Sequence, residues 1–299
     1  MIFKVMLNLI LRILIGSVFI FGATSKLISI DSFEIYIYSF GVLKLDLAYF
    51  FARFVISLEF FIGVLLIIGM QTKRAILASI TMLSVFSVFI LYLILSENKE
   101  QCHCFGNIEM SHGSSLVKNV LLIALLLLIY RGESNKFKYE KSILIISFVF
   151  SIFLPLIVSP PDSLFYNSYS KNASYNEFVL EEYLKENSQY SKGKKMLCFF
   201  GSGCSFCKLA AKKVSVIAKK ANSTDVINLV FADSQVSVDK FFRETNSTIF
   251  QYSIISPMRF LKITNGEMPL IIILEDGKIK GKYGYRDIDE NEITKYFKD

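Results

Sequence analysis

Two short cysteine motifs in this 299-residue sequence are suited to thiol chemistry. The first, "CSFC", contains Cys204 and Cys207 and follows the apolar run "KKMLCFF" after the three residues "GSG". A run of that length indicates a strand, and residues 207–222 show helical periodicity. The first cysteine is therefore expected at a helix N-terminus, where unpaired N–H groups and the helix dipole favour a thiolate. This spacing predicts Cys204 as the nucleophile and Cys207 as the thiol that resolves the mixed disulfide.

The second motif, "CHCFG", lies in the apolar half of the chain and contains Cys102, His103 and Cys104. A disulfide within Cys-x-Cys is geometrically cramped, and strain makes a disulfide easier to reduce. The pair is therefore predicted to act as an electron acceptor. His103 either supports a thiolate and moves protons or is an ordinary solvated loop residue, and both interpretations stay open. Cys198, within an apolar run, is expected to be a buried core residue.

Composition separates the two halves of the chain. The sequence is 53% hydrophobic and 20% charged, which is too apolar for an ordinary soluble domain, and the excess lies before residue 160. A helix that spans a bilayer needs about 20 apolar residues, with a lower limit near 17. The apolar stretches predict five transmembrane helices, at roughly 5–25, 47–70, 75–96, 114–130 and 142–158.

Basic residues in the short connections indicate the orientation. Connections 71–74 and 131–141, with Lys4 ahead of the first span, are expected inside by the positive-inside rule. We therefore expect a multi-pass protein of the cell (inner) membrane with a cytoplasmic N-terminus. Both cysteine pairs then face one oxidising, extracytoplasmic compartment. The net charge of +7 partly reflects this bias, and no basic stripe indicates nucleic-acid binding.

The expected domains follow from these segments. Residues 1–131 form a transmembrane domain, residues 132–175 hold the fifth helix and a polar linker, and residues 176–299 have soluble composition. Within the last domain, Asp276-Gly277 between apolar runs is a strong hairpin signal. The alternation of elements predicts an α/β sheet covered by helices. Helices are predicted at 176–187, 207–222, 238–246 and 290–298, and strands at 194–200, 226–233 and within 269–285.

A Cys-x-x-Cys at a strand-to-helix junction, with a proline opening the next-to-last strand, resembles the thioredoxin superfamily over about residues 176–299. The residues that carry the resemblance are Cys204, Ser205, Phe206, Cys207 and the "GEMP" stretch ending at Pro269. The resemblance implies a cis Met268-Pro269 bond beside the active site, with the Met268 backbone presented to a substrate chain. Many thioredoxins have tryptophan just before the first cysteine, whereas Gly203 stands here, so the subfamily stays open.

The membrane half resembles the DoxX-like and methylamine-utilisation MauE families of small four-helix membrane proteins. The match covers about residues 5–131 and is carried by the stretch 12–27, by Glu59 and by "CHCFG". MauE proteins are associated with a separate thioredoxin-like partner in maturing a disulfide-rich periplasmic enzyme subunit, and here both parts are fused. DoxX relatives are associated with quinone-linked oxidation of sulfur compounds. The resemblance thus implies a quinone as a candidate carrier, and no covalently bound cofactor is expected.

Charged residues within predicted spans are costly and usually face the interior of a helix bundle. Arg12 and Glu59 are two such residues. Counting from the ends of their spans places both in the inner half of the bilayer, so we expect them to form a structural ion pair. A proton or quinone site is the alternative interpretation.

The favoured hypothesis is a membrane-anchored thiol–disulfide oxidoreductase in which the "CHC" pair relays electrons between the "CSFC" domain and a carrier. Its expected partners are extracytoplasmic client proteins with cysteines or disulfides, together with membrane lipid. One alternative is a copper- or zinc-handling protein that uses the cysteine pairs as ligands, because thiolates bind soft metals. Another is a transporter whose thioredoxin-like domain serves only for docking. The favoured hypothesis includes no metal, and the direction of electron flow stays open.

Overall fold

A computed structural model describes residues 2–95, 102–105, 108–130, 138–165, 174–248 and 250–298; the side chains of residues 2–4, 102–105, 108–110 and 298 are outside that description. The chain divides into two compact units. The helical unit comprises residues 1–34 and 50–160, and the α/β unit comprises residues 35–49 and 161–299. The domain boundaries inferred from the sequence stay a prediction, and packing adds residues 35–49 to the α/β unit.

The first helices confirm the predicted spans. In chain order they are α1 (Ile2–Ile28), α2 (Ile30–Ser39), α3 (Leu45–Ile68), α4 (Thr72–Leu95), α5 (His112–Ile129) and α6 (Glu140–Val158). All of these except α2 are long and apolar enough to cross a bilayer, which gives five candidate spans among the described residues. The chain is therefore a multi-pass membrane protein.

Two short elements occupy connections that carried no secondary-structure prediction. The short helix α2 follows α1 after a single residue. Between α4 and α5, strands β1 (Cys102–Phe105) and β2 (Ile108–Met110) form an antiparallel pair, with Cys102 opposite Met110. The second cysteine motif therefore lies on a hairpin strand.

The α/β unit contains a five-stranded sheet covered by helices, as predicted. The strand order is β5-β4-β3-β6-β7, with β3, β4 and β5 parallel and β6 and β7 antiparallel to their neighbours. Asp276 and Gly277, both with positive φ, form the turn between the last two strands. The elements are α7 (Glu177–Glu186), β3 (Lys194–Phe199), α8 (Ser205–Ala221), β4 (Ile227–Phe231), α9 (Gln235–Thr245), β5 (Gln251–Ile254), α10 (Pro257–Thr264), β6 (Leu270–Glu275), β7 (Lys278–Tyr283) and α11 (Glu290–Lys298).

The sheet buries both faces, because successive side chains of a strand point to opposite sides. In the central strand β3, Met196 and Cys198 belong to one apolar cluster, together with residues of α8, α9 and the segment 35–49. Leu197 and Phe199 belong to a second cluster on the other face, formed with α7 and α10. Burial on both sides explains why β3 reads as a continuous apolar run.

Candidate active site

Cys204 lies at the junction between β3 and α8. It is the N-cap of α8, with extended backbone angles. Two hydrogen bonds hold the preceding loop: Cys204 N–H donates to the Gly201 carbonyl oxygen at 3.1 Å, and Ser202 N–H donates to Asp233 Oδ2 at 2.8 Å. Asp233, which lies just beyond β4, was not identified from the sequence. The loop therefore fixes the first cysteine at the helix N-terminus, where the motif predicted it.

The Cys204 sulfur is placed to carry negative charge. Its Sγ accepts a hydrogen bond from the Cys207 N–H at 3.2 Å. A hydrogen bond from the Cys207 thiol, then the backbone N–H groups of Cys207 and Phe206 and the charge of Lys208, lower the pKa of Cys204 to about 6, although partial burial opposes the shift. Cys204 is therefore mostly thiolate at neutral pH, and the thiolate is the nucleophilic form.

Cys207 has the opposite properties. Its side chain is fully buried one turn further along α8, and Gly201 N–H donates to its sulfur at 3.5 Å. Burial, followed by its interaction with Cys204, raises the pKa of Cys207 well above its usual value. Both cysteines are free thiols in this structure. The site thus combines a reachable thiolate with a protected thiol that keeps its proton.

Cys198 is the buried core residue that the sequence indicated. It has no solvent exposure and packs in the apolar cluster on one face of the sheet. Burial raises its pKa, so the thiol stays neutral and out of reach of substrates.

The Met268-Pro269 peptide bond is cis, as the thioredoxin resemblance implied. Met268 packs against the loop before Cys204, because a Cβ added to Gly201 would lie 2.7 Å from Met268 Sδ. Met268, Pro269 and Phe206 line a groove of about 470 Å³ beside the cysteine motif. A role of these residues in substrate binding stays a prediction.

Another part of this groove is lined by Gly284–Asp287, the segment after β7. The Tyr285 ring packs against the Phe206 ring with centroids 5.1 Å apart. The Arg286 guanidinium lies 5.8 Å from the centroid of Phe206. Sequence reasoning missed this segment, since no motif marks it and it meets "CSFC" only through the fold.

The second cysteine motif occupies β1, whose backbone lies beside α1 and α5 in the helical unit. The side chains of Cys102, His103 and Cys104 lie outside the described residues. Their redox roles therefore stay predictions.

The expected Arg12–Glu59 ion pair is wrong, because Glu59 pairs with Lys26. The Lys26 ammonium lies 2.8 Å from the Glu59 carboxylate, and both side chains are buried. Lys118 of α5 also interacts electrostatically with both groups. A structural ion pair therefore exists at Glu59 with a different partner, and a proton or quinone role stays a prediction.

The crossing of α1 and α3 explains this difference. A Cβ added to Gly16 would lie 2.9 Å from the Gly63 carbonyl oxygen, so the two antiparallel helices approach closely there. Arg12 lies one turn to one side of this contact and Glu59 one turn to the other, roughly 12 Å apart along the helix axis. The Arg12 guanidinium instead lies against Gly69.

Fold and site together define a class: a multi-pass membrane protein that carries a thioredoxin-like redox domain. The membrane part supplies the apolar spans. The α/β unit supplies a mixed sheet, a Cys-x-x-Cys at the N-terminus of the helix after its central strand, and a cis proline opening β6.

Comparison with known proteins agrees with this class. Residues 4–131 match the family described as methylamine utilisation protein MauE, which confirms the resemblance of the membrane half. The chain is 26% identical over 343 aligned positions to Protein TlpB of Flavobacterium psychrophilum, covering 95% of this chain and 92% of that protein.

Two solved structures are similar to part of the chain. One is the thioredoxin domain of a thiol-disulfide oxidoreductase from Bacteroides vulgatus, with 18% identity, a TM-score of 0.32 and coverage of 37% of this chain and 84% of that chain. The other is a secreted Mycobacterium tuberculosis disulfide oxidoreductase homologous to E. coli DsbE, with 15% identity, a TM-score of 0.31 and the same coverage of 37% and 84%.

Proposed function

We propose that the chain is a membrane-anchored thiol–disulfide oxidoreductase that relays electrons between client proteins, the Cys204–Cys207 pair and the Cys102–Cys104 pair. The observation that carries the proposal is the contrast within the first pair. The half-buried Cys204 has a lowered pKa, whereas the fully buried Cys207 has a raised pKa. This contrast supports an exchange in which one thiol attacks the client and the other resolves the product.

In the reductive direction, the Cys204 thiolate attacks one sulfur of a client disulfide. A Cys204–client disulfide forms, and the other client sulfur leaves as a thiolate that takes a proton from water. Cys207 then loses its proton to water and attacks the Cys204 sulfur, which releases the second client sulfur as a thiolate that takes a proton from water. The client gains an electron pair and the protons, and a Cys204–Cys207 disulfide remains. The same steps in reverse oxidise a client.

The Cys102–Cys104 pair completes the proposed relay. It exchanges with the Cys204–Cys207 pair through a transient disulfide between one cysteine of each motif. A quinone dissolved in the bilayer is the carrier we propose for the electron pair beyond it. The position of the motif on a hairpin between two spans supports access to both an extramembrane partner and the bilayer.

The proposed location is the cell (inner) membrane, with a cytoplasmic N-terminus and an extracytoplasmic α/β unit. Clients are then extracytoplasmic proteins with cysteines or disulfides. Reporter fusions after residues 72 and 136 should report the cytoplasm, and fusions after residues 110 and 170 the other side. Fusions at 110 and 170 that report opposite sides would contradict the relay, because the cysteine pairs could not meet.

The relay itself is tested by trapping its intermediate. A full-length variant with Cys207→Ser and Cys104→Ser keeps Cys204 and Cys102 and cannot resolve a bond between them. A protease site inserted in 166–173 allows the chain to be cut after mild oxidation. Non-reducing electrophoresis should then show the two fragments joined, and reductant should separate them. The partner variant, with Cys102→Ser instead of Cys104→Ser, tests the other membrane cysteine.

A matched control separates specific capture from general oxidation. In it, Cys204→Ser removes the nucleophile and Lys219→Cys adds an exposed thiol on the same helix, α8. The control should leave the fragments separate. Fragments that separate without reductant in both trapping variants, or join equally well in the control, would overturn the direct relay.

A further inference from the structure

Lys213 is a fully buried lysine in the middle of α8, and the exchange steps above do not use it. Its ammonium donates to the Tyr49 hydroxyl at 2.8 Å and to the Tyr285 carbonyl oxygen at 3.0 Å. It also lies 3.8 Å from the centroid of the Tyr285 ring and 5.3 Å from that of Tyr49. A single ammonium therefore joins two tyrosines that are far apart in the chain.

Carboxylates compensate this buried charge. Asp162 Oδ2 lies 3.9 Å from the Lys213 ammonium. Asp287, which is buried, interacts with Lys213 electrostatically. Asp162 also accepts a hydrogen bond from Arg286 at 2.8 Å. Since an uncompensated buried charge is costly, these groups hold one another in a fixed arrangement.

The residues that contact Lys213 include part of the lining of the groove beside the cysteine motif. Tyr285, Arg286 and Asp287 line that groove together with Phe206, one of the two residues between the two cysteines. The Tyr285 ring that Lys213 covers on one side packs against Phe206. The position of the Lys213 ammonium therefore fixes the segment that forms this wall of the groove.

Two further partners of Lys213 lie in the first turns of a candidate membrane span and just beyond the end of another. Tyr49 belongs to the first turns of α3, and Asp162 follows α6. Both belong to the α/β unit by their packing. Tyr49 and Asp162 do not line the groove themselves; they hold Lys213 and Arg286, and so support the segment that does.

We propose that Lys213 is a positioning residue that sets the shape of the client groove by tying the segment 284–287 to Tyr49 and Asp162. This inference rests on the proposed function, because it assigns the groove to the client chain that Cys204 attacks. Client binding then depends on Tyr49 and Asp162, which support the groove without lining it. The chemistry of the cysteine pair itself does not require them.

The test compares steady-state kinetics of full-length variants with a model peptide that contains one disulfide, and glutathione is the reductant that regenerates the Cys204 and Cys207 thiols. Tyr49→Phe removes only the hydroxyl that accepts from Lys213, and Lys213→Met removes the ammonium. A hydrogen bond to a charged group is worth about tenfold or more in an equilibrium constant. KM should therefore rise about tenfold or more in Lys213→Met, and about threefold in Tyr49→Phe, because the ammonium keeps its other partners there. The increase should fall on KM, with kcat changed by less than about twofold.

Lys219→Met is the matched control, since Lys219 is an exposed lysine of the same helix. Its KM should equal that of the wild type. Thermal unfolding of Tyr49→Phe should show that this variant stays folded even if Lys213→Met does not. A KM that is unchanged in folded Tyr49→Phe, or a loss that falls on kcat, would overturn the positioning role. Failure of the wild type to react with the small disulfide 4,4′-dithiodipyridine would instead refute the proposed function.

Discussion

The reactivity of Cys204 should depend on pH differently from that of an ordinary cysteine. Because its pKa is lowered from 9.0 to about 6, roughly 90% of it is thiolate at pH 7, against about 1% for an unperturbed thiol. A less basic thiolate is also a weaker nucleophile, by roughly 20-fold here at a Brønsted coefficient of about 0.45. Together these effects make Cys204 react with a disulfide about 4-fold faster than an ordinary thiol does at pH 7 and about 40-fold faster at pH 5. At pH 9 its reaction is about 10-fold slower.

The assay measures the rate of reaction with 4,4′-dithiodipyridine in full-length protein with Cys102→Ser and Cys104→Ser. The reference variant carries, in the same background, Cys204→Ser and Lys219→Cys, so that its exposed thiol lies on the same helix. The Cys204 rate should fall as the pH drops below about 6, because the thiolate takes up a proton there. The two rate profiles should cross between about pH 7 and pH 8.

If the rates of the two variants depend on pH in the same way, with both midpoints near the ordinary thiol pKa, the lowered pKa of Cys204 is refuted. A further variant tests the main cause. Cys207→Ala should move the Cys204 midpoint upward, because the hydrogen bond from the Cys207 thiol contributes most to the low pKa. An unchanged midpoint would show that the backbone N–H groups and Lys208 suffice to lower the pKa of Cys204.

Other expected outcomes concern three further positions. Cys207→Ser should accumulate mixed disulfides with client proteins on non-reducing gels, because the resolving thiol is gone, and their absence would contradict its role. Glu59→Gln leaves the Lys26 ammonium without its carboxylate and should lower the free energy of unfolding in detergent by about 3 kcal/mol; an unchanged unfolding midpoint would contradict the pairing. Gly201→Ala places a Cβ 2.7 Å from Met268 Sδ. The displaced side chain should raise KM for a peptide disulfide about threefold, and an unchanged KM would argue against contact between Met268 and the client.

The membrane spans could be predicted because bilayer length and apolar composition are properties of a single segment. The predicted spans agree with α1, α3, α4, α5 and α6 to within a few residues. The connection between the first two predicted spans carried no predicted helix, although it contains α2. Its helical pattern is short and lies between the two long apolar stretches of the first and second spans, so it does not stand out as a separate helix.

Local patterns also predicted most strands and helices of the α/β unit. Helix α10 and strand β5 were not predicted. Helix α10 begins with Ser256 and Pro257 and ends before Asn265, whose φ is positive. A serine N-cap, a proline at the first turn and a terminal asparagine are known helix signals, so this element could have been found. Strand β5 is short and mostly exposed, and it lacks the alternation that reveals a strand.

The wrong Arg12–Glu59 pair shows where depth counting fails. Position along a span was inferred from its own ends, which ignores where two helices cross. The close approach at Gly16 and Gly63 places the two charges on opposite sides of the crossing. The long, flexible side chain of Lys26 reaches the carboxylate instead.

The sequence by itself placed Cys204 at a helix N-terminus with Cys207 one turn further along, since residue spacing and helix position suffice for that arrangement. It also determined the spans and four of the five strands of the sheet, and its thioredoxin resemblance implied the cis proline. Only the tertiary structure decided what surrounds these cysteines. Tyr49, Asp162, Lys213 and Tyr285 come from four separate segments, and local periodicity carries no information about which of them meet. Their contact depends on packing among distant parts of the chain, because a buried ammonium is tolerated only where the fold brings enough oxygen atoms and aromatic rings to it.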